Sequence, residues 1–141
     1  MEPIRHVVTV ASSAADAFAV FTAGMGGWWD ASYSPDPAAY AGIEVPPEVG
    51  GTVVVRHGRE GTPFGTVTAW EPGLHYAQTF WLAGDPAYPS SIDVRFEDVD
   101  GVCEVTFEHG GWHAGNAEDR QRYGDWPHLL GRFATACAAR D

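Results

Sequence analysis

The stretch "SIDVRFEDVDGVCEVTFEH", residues 91–109, alternates apolar and polar side chains on both sides of a short central turn. Successive side chains of a strand point to opposite faces of a sheet, so this alternation predicts two strands that are covered on one face only. The intervening "VDG" has the composition of a tight turn. The stretch therefore predicts an antiparallel hairpin with one apolar face, formed by Ile92, Val94, Phe96, Cys103, Val105 and Phe107.

Several segments upstream have the same strand-like character. They are rich in β-branched and aromatic residues and are separated by short segments that contain Gly, Pro or Asp, such as the expected turn "GREGTP" at 58–63. Together with the hairpin they predict an antiparallel meander that follows a first, separate strand. The segments are "IRHVVTV" (4–10), a short strand around Ile43–Val45, "TVVVRH" (52–57), "FGTVTAW" (64–70) and "LHYAQTFW" (74–81).

The layer that covers the meander is predicted from the C-terminal segment. Apolar residues recur there at alternating spacings of three and four, which indicates an amphipathic helix around Trp126 to Ala138. Pro127 interrupts helical hydrogen bonding, so we expect a first turn or two that ends near Gly124, with a restart or a kink there. Two short helices are expected after the first strand, in "SSAADAFAVF" (12–21) and "GMGGWWD" (24–30).

This order of elements predicts an α+β helix-grip fold. In that architecture a curved antiparallel sheet is wrapped around a long C-terminal α-helix, with two short helices after the first strand. We expect a single domain over residues 1–141. Such a sheet curls away from the helix at one end, where large side chains or a ligand must fill the gap. Adjacent side chains point in different directions, so we expect one of Trp28 and Trp29 in the core and the other at this gap.

The charge of the chain excludes several classes of function. Nineteen acidic residues stand against eight basic ones, which gives a formal net charge of −11. This balance argues against binding to nucleic acid or to anionic membranes. All eight basic residues are arginine, so Schiff-base chemistry and a P-loop lysine are excluded. No apolar run approaches about 18 residues, so we expect a cytoplasmic protein without membrane insertion.

Two histidines are candidates for acid–base chemistry near neutral pH. His57 shares strand parity with Val53 and Val55, and His109 ends the apolar row of the last strand. Each imidazole could therefore reach the gap between sheet and helix. A solvated position at the end of the strand is the alternative for His57.

The sequence predicts no metal and no cofactor. His109 and His113 have the spacing of metal ligands on a helix, but the two glycines between them make a helix there unfavourable. Cys103 and Cys137 lack the paired spacing of a zinc or redox motif, and we expect reduced, buried thiols. No catalytic residue is assigned.

Four blocks of the sequence resemble bacterial proteins of the SRPBCC, or START-like, superfamily. The similarity is to its AHSA-type branch, the homologues of the activator of the heat-shock protein 90 ATPase. The resemblance implies a helix-grip domain with an internal apolar cavity between the sheet and the long helix. Members of the superfamily include lipid carriers, polyketide cyclases, plant-hormone receptors and co-chaperone domains. The blocks are "AFAVFTAGMGGWWD" (17–30), "GTVTAWEPG" (65–73), "VTFEHGGW" (105–112) and "RYGDWPHLLGRF" (122–133).

We therefore expect a monomer or homodimer that binds a small, mainly apolar molecule in this cavity. One alternative is a polyketide cyclase-like enzyme, of cyclase or hydratase type, that uses His57 or His109 as acid or base. The other is a chaperone-associated interaction module, which would need an exposed apolar patch. The residues expected to line the cavity are Trp28, Trp29, His57, Val67, Val94, Phe96, Val105, Phe107, His109, Trp126, Leu130 and Phe133.

Overall fold

The computed structural model describes residues 2–82 and 85–139. Within these residues three α-helices accompany one antiparallel sheet: α1 (Ala14–Phe21), α2 (Met25–Trp28) and α3 (Trp126–Ala139). Short 3₁₀ turns lie at Ala31–Tyr33, Pro37–Ala39 and Ala117–Tyr123. The seven strands of the sheet are β1 (Ile4–Val10), β2 (Tyr40–Glu44), β3 (Thr52–His57), β4 (Glu60–Glu71), β5 (His75–Phe80), β6 (Ser90–Val99) and β7 (Val102–Gly110).

The hairpin predicted from residues 91–109 is formed by β6 and β7. Val94 pairs with Phe107, so the two apolar rows share one face of the sheet. The turn consists of Asp100, with a φ of 50°, and Gly101, with a φ of 86°. Two consecutive positive φ values are what a two-residue hairpin turn requires. The apolar face is buried at all six expected positions: Ile92, Val94, Phe96, Cys103, Val105 and Phe107.

The strands follow one another as a meander in the order β1-β7-β6-β5-β4-β3-β2. Each neighbouring pair is antiparallel, and β1 lies beside the last strand, β7. The sheet curls into a half-barrel, which gives it a concave face for the helices. The expected combination of one separate strand and a meander is confirmed.

Helix α3 packs its apolar stripe into the curled sheet. Its buried side chains are Trp126, Leu129, Leu130, Phe133 and Cys137. Pro127 is the second residue of the helix, where no intrahelical partner exists for the missing N–H. A 3₁₀ turn ends before Gly124, so the expected break is present. None of the described helices combines the length and apolarity needed to cross a bilayer.

The α+β helix-grip fold is confirmed, and one boundary is wrong. The segment "GREGTP" is not a six-residue turn, because β4 begins at Glu60 and pairs there with His57. Gly58, with a φ of 65°, allows the chain to reverse within two residues.

Aromatic rings fill the middle of the space between the sheet and the helices. The ring centroids of Phe21, Trp28 and Phe133 lie 5.2 to 5.6 Å from one another. All three side chains are at most 1% exposed. Open space is therefore expected towards an end of the helix–sheet interface rather than at its centre.

Candidate ligand-binding cavity

A cavity of about 410 Å³ lies where α3 begins. We call it the Trp29–Trp126 cavity. It is bounded by the residue after α2, the loop that follows, the end of β5 and the segment that leads into α3. Tyr33 and Arg122 are exposed at its rim, which gives solvent access. The lining residues are Trp29, Ser32, Tyr33, Ser34, Pro35, Phe80, Leu82, Arg122, Tyr123, Asp125, Trp126 and Leu129.

Three aromatic side chains form the inner wall of this cavity. The ring of Trp29 lies 5.9 Å from that of Trp126 and 6.5 Å from that of Phe80, and Phe80 lies 5.9 Å from Trp126. The rings meet edge-on or tilted rather than stacked. Such a wall offers a large apolar surface and ring faces to a bound molecule.

The end of α2 separates the two adjacent tryptophans. Trp28 is the last helical residue, whereas Trp29 is extended, with φ −62° and ψ 139°. This change of backbone conformation directs Trp28 into the core and Trp29 to the cavity wall. Arg132 of α3 fixes the junction, because its Nε donates to the Trp28 carbonyl oxygen at 2.7 Å.

Polar groups tie the rim of the cavity to the start of α3. The Tyr33 hydroxyl donates to Asp125 Oδ2 at 2.7 Å, and His128 Nε2 lies 2.9 Å from Asp30 Oδ2. Hydrogen bonds from His128 and Ser32 hold the pKa of the Asp30 carboxyl well below its usual range. The bond to Asp125 raises the pKa of Tyr33. The loop after α2 is thus held across the cavity mouth by two contacts.

His109 is buried behind the aromatic wall and is bonded at both ring nitrogens. Trp126 Nε1 donates to His109 Nδ1 at 3.0 Å, and Nε2 lies 2.6 Å from Ser90 Oγ. An indole N–H can only donate, so Nδ1 accepts and the neutral ring carries its proton on Nε2. The Ser90 hydroxyl donates in turn to the Phe80 carbonyl oxygen at 3.0 Å. Burial lowers the pKa of His109 to about 3, so both ring nitrogens are committed to structure near neutral pH.

His57 lies at the end of β3, away from the residues that line the cavity. Its Nε2 is 2.7 Å from Thr62 Oγ1, and its Nδ1 is 4.0 Å from Glu60 Oε2. The side chain is 14% exposed. These neighbours give His57 a local role in the β3–β4 hairpin.

The structure brings only part of the expected lining set to the open cavity. Trp29 and Trp126 line it. Those two and Trp28 also border an inner cavity of about 10 Å³, together with Phe21, Met25, Phe64, Gln78, Phe80 and Ile92. The other apolar members of the expected set are buried in the core: Val67, Val94, Phe96, Val105, Phe107, Leu130 and Phe133.

Sequence reasoning missed the residues of the cavity mouth. Tyr33 and Asp125 lie in segments that have no periodic pattern, Leu129 lies in the first turns of α3, and Phe80 ends β5. One local signal was available. Asp30 caps the short turn after the tryptophan pair by accepting from the Ser32 N–H at 3.0 Å, and such an Asx turn marks a chain reversal at this point.

The part of the chain that the structure describes contains no group of three or more His, Cys, Asp or Glu arranged to hold a metal ion. His109 is the more buried member of the pair His109 and His113. Both of its ring nitrogens are hydrogen-bonded, to Trp126 and to Ser90, so neither is open to a metal ion. Neither Cys103 nor Cys137 takes part in a disulfide, and both are buried.

Solved structures of similar fold cover nearly the whole chain. The solution structure of the Aha1 dimer from Colwellia psychrerythraea has a TM-score of 0.71 at 21% identity, over 97% of this chain and 96% of that one. Protein MLL2253 from Mesorhizobium loti has a TM-score of 0.70 at 18% identity, over 98% and 99%. An anthrahydroquino-γ-pyrone synthase, Txn09, complexed with SUM, has a TM-score of 0.67 at 25% identity, over 96% of both chains. No curated protein matches the chain significantly.

A family model also matches the sequence directly, over residues 11–138. The match begins just before α1 and ends within the last turn of α3, so it includes all the residues that line the Trp29–Trp126 cavity. The chain therefore belongs to the family described as Activator of Hsp90 ATPase homolog 1-like protein.

Proposed function

We propose that the protein binds a small, mainly apolar and uncharged molecule in the Trp29–Trp126 cavity. The observation that supports this most directly is the cavity itself, of about 410 Å³ and walled by three aromatic rings. Small-molecule sites typically measure roughly 300 to 1,000 Å³ and combine apolar walls with a few polar groups. The same combination is present here.

The charges near the cavity disfavour an anionic ligand, and the apolar inner wall disfavours a ligand that carries any charge. Asp125 contributes a carboxylate, and Arg122 forms an ion pair with Asp119 at 3.2 Å. The chain as a whole has a formal net charge of −11, which repels anions. Ser32 and Ser34 also line the cavity. Their hydroxyl groups donate to Asp30 and to the Ala31 carbonyl oxygen, so towards a ligand they act as acceptors.

The shape of the wall supports an aromatic ligand. Flat, fused rings gain the most contact with the faces and edges of Trp29, Phe80 and Trp126. One structural neighbour, Txn09, is named for an anthrahydroquino-γ-pyrone, which is a fused-ring compound. A fused-ring aromatic molecule is therefore the ligand class that we propose for this chain.

An enzyme of cyclase or hydratase type is the second candidate, and the name of Txn09 as a synthase favours it. The acid–base group that borders the cavity is the Tyr33–Asp125 pair, at 2.7 Å, rather than a histidine. His57 is bonded to Thr62 in another part of the sheet, and His109 has both ring nitrogens engaged. If the protein is an enzyme, Asp125 is therefore the residue that we propose as its acid or base.

A chaperone-associated interaction module has less support. The large hydrophobic side chains that are exposed in the described residues lie on separate segments of the chain and do not suggest one patch: Val7, Tyr33, Val49, Leu74 and Tyr88.

We also place the protein in the cytoplasm in this proposal, since Cys103 and Cys137 form no disulfide.

Binding can be tested with N-phenyl-1-naphthylamine, a neutral probe whose fluorescence rises in apolar sites. We expect saturable binding of one probe molecule per chain and displacement by the fused-ring compound fluorenone. Mass spectrometry of small molecules that copurify with the protein supplies the natural ligand. The proposal is contradicted if neither compound binds and nothing apolar copurifies.

A further inference from the structure

The indole N–H of Trp29 is a buried donor for which the chain provides no acceptor. Among residues 2–82 and 85–139, Trp29 Nε1 is the buried side-chain nitrogen or oxygen without a hydrogen-bond partner. The whole side chain is only 4% exposed. Buried donors in folded proteins are nearly always bonded, because removing one from water without a replacement acceptor is unfavourable. The missing acceptor can therefore be part of a ligand.

Other indole N–H groups of the interior are bonded within the chain. Trp28 donates to the Val20 carbonyl oxygen at 2.9 Å, and Trp126 donates to His109 at 3.0 Å. Trp29 and Trp126 line the same cavity and differ in this one property. The N–H of Trp126 is committed, and that of Trp29 is available.

A water molecule is the alternative acceptor for this donor. The inner cavity bordered by Trp29 has about 10 Å³, which is close to the space that one water needs. Gln78 is the amide among its lining residues; its Oε1 accepts from the Tyr76 hydroxyl at 2.7 Å, and its Nε2 donates to the Thr79 carbonyl at 3.0 Å. A buried water usually has about two to four polar partners. Gln78 keeps one amide proton and one lone pair of Oε1, so a water in this space would have Trp29 and Gln78 as its polar partners. A shift of the Trp29 N–H resonance that requires a carbonyl group on the ligand separates the two acceptors.

The two cavities share a wall. Trp29, Phe80 and Trp126 border both the large cavity and the inner one. Because Nε1 of Trp29 is fully buried, a flat molecule in the large cavity reaches it only by inserting one atom between these rings. The volume of the inner cavity suits a single oxygen atom.

We propose that Trp29 Nε1–H donates a hydrogen bond to the carbonyl oxygen of a neutral, fused-ring aromatic ligand in the Trp29–Trp126 cavity. This inference rests on the proposed function and specifies its ligand class. An indole N–H can only donate, so the ligand atom must be an acceptor. A carboxylate is disfavoured because it would bury a charge, while the guanidinium of Arg122 forms an ion pair at the rim with Asp119.

Fluorenone and fluorene test this inference, because they share one ring system and differ in the carbonyl group. We label the indole nitrogens with nitrogen-15 and record the N–H resonances of the wild-type protein during titration with each compound. Both ring systems change the Trp29 resonance through ring currents, but only fluorenone should add the downfield shift of a hydrogen-bonded indole proton. The Trp126 resonance is the internal control and should respond similarly to both compounds, since its N–H stays bonded to His109.

Two variants supply the matched comparison of affinities. Trp29→Phe keeps an aromatic wall and removes the available donor, whereas Trp126→Phe keeps an aromatic wall and removes a donor that is already committed. The preference for fluorenone over fluorene should fall about fivefold in Trp29→Phe, as expected for one hydrogen bond, and should be retained in Trp126→Phe. If Trp29→Phe does not fold, the wild-type resonances decide the question alone.

The outcomes separate the two proposals. If N-phenyl-1-naphthylamine, fluorenone and fluorene all fail to bind and nothing apolar copurifies, the proposed function fails, and this inference fails with it. If only the two fused-ring compounds fail to bind, the cavity function stands and this inference is refuted. If both bind and shift the Trp29 resonance equally, the cavity function stands and the hydrogen bond to Trp29 is refuted. The inference is also refuted if the Trp29 resonance shifts only with fluorenone but Trp29→Phe still prefers fluorenone to fluorene. Another group would then donate the hydrogen bond to the carbonyl oxygen.

Discussion

The indole nitrogen of Trp126 lies 3.0 Å from Nδ1 of His109, and this bond makes a buried histidine part of the support of the cavity wall. From His109 the chain of hydrogen bonds continues through Ser90 to the carbonyl oxygen of Phe80. Phe80 and Trp126 are two of the three rings of the wall. The network therefore holds their relative positions, and it does so only while His109 is neutral.

Acid should destabilise the fold through His109. Burial lowers its folded-state pKa from 6.5 to about 3, so between these values the unfolded chain binds a proton that the folded chain does not. The free energy of unfolding therefore falls as the pH falls through this window, by about 1.4 kcal/mol per pH unit from His109 alone. Urea unfolding at a series of pH values between 7 and 4 measures the slope.

The variant His109→Gln identifies the source of this slope. It should be less stable than the wild type at pH 7, and its stability should depend less on pH between 6 and 4. His113→Gln, which changes an exposed histidine, is the control. If wild type and His109→Gln show parallel pH profiles, the buried neutral histidine is not the cause.

Trp28 and Trp29 should respond differently to replacement by phenylalanine. Trp28→Phe removes a buried, hydrogen-bonded indole and leaves the Val20 carbonyl without its donor, so we expect a loss of about 2 kcal/mol or more. Trp29→Phe removes an unpaired donor beside open space, and we expect a loss of about 1 kcal/mol or less. Urea unfolding gives both values, and equal losses would contradict the assignment of Trp28 to the core and Trp29 to the wall.

The fold was predictable because its signals are local. The alternation in β6 and β7 and the three-and-four spacing in α3 each lie within about twenty residues, and each fixes one apolar face. Packing α3 onto the apolar face of the sheet buries both faces at once, as the helix-grip architecture does. The ends of the turn at Gly58 were harder to predict. The composition of "GREGTP" indicates a six-residue loop, whereas the positive φ of Gly58 lets the chain reverse within two residues.

The site was less predictable, because its position depends on which part of the space between the sheet and the helices the side chains leave unfilled. Val94, Phe107 and Phe133 are inward-facing residues expected in a cavity wall, but all three are buried in the core. The ring of Phe107 is covered by Trp126, and that of Phe133 is covered by Phe21 and Trp28. The open end is formed by Tyr33 and Asp125, which are 92 positions apart in the chain. No periodicity within one element encodes that contact. The division between Trp28 and Trp29 depends on the helix end between them, which sequence parity does not locate.

The contact between Tyr33 and Asp125 should control escape from the cavity rather than stability. Tyr33→Phe removes the 2.7 Å hydrogen bond that ties the rim loop to the start of α3. Exposed pairs of this kind add little to folding, so urea unfolding should be unchanged. The dissociation rate of N-phenyl-1-naphthylamine, measured by stopped-flow fluorescence, should rise roughly threefold to tenfold. Tyr88→Phe, an exposed tyrosine that is not part of the cavity lining, should leave the rate unchanged.

Leu129 and Leu130 are neighbours on α3 that face different surroundings, and a tryptophan at each should separate cavity from core. Both side chains are buried in the core cluster, but only Leu129 of the two lines the Trp29–Trp126 cavity. The cavity has space for the larger ring in Leu129→Trp, so stability should change by less than about 1 kcal/mol. The same ring occupies the volume that a ligand needs, and probe affinity should fall at least about tenfold.

Leu130→Trp should give the opposite result. Its added volume has no free space to enter, so overpacking should cost about 1 to 3 kcal/mol, while probe affinity in the folded fraction changes little. Urea unfolding and fluorescence titration of both variants measure the two quantities side by side. Because the substitution is the same and the positions are adjacent, differences in the size of the side chain cancel. If Leu129→Trp binds the probe as tightly as the wild type, the probe does not occupy the cavity at the start of α3.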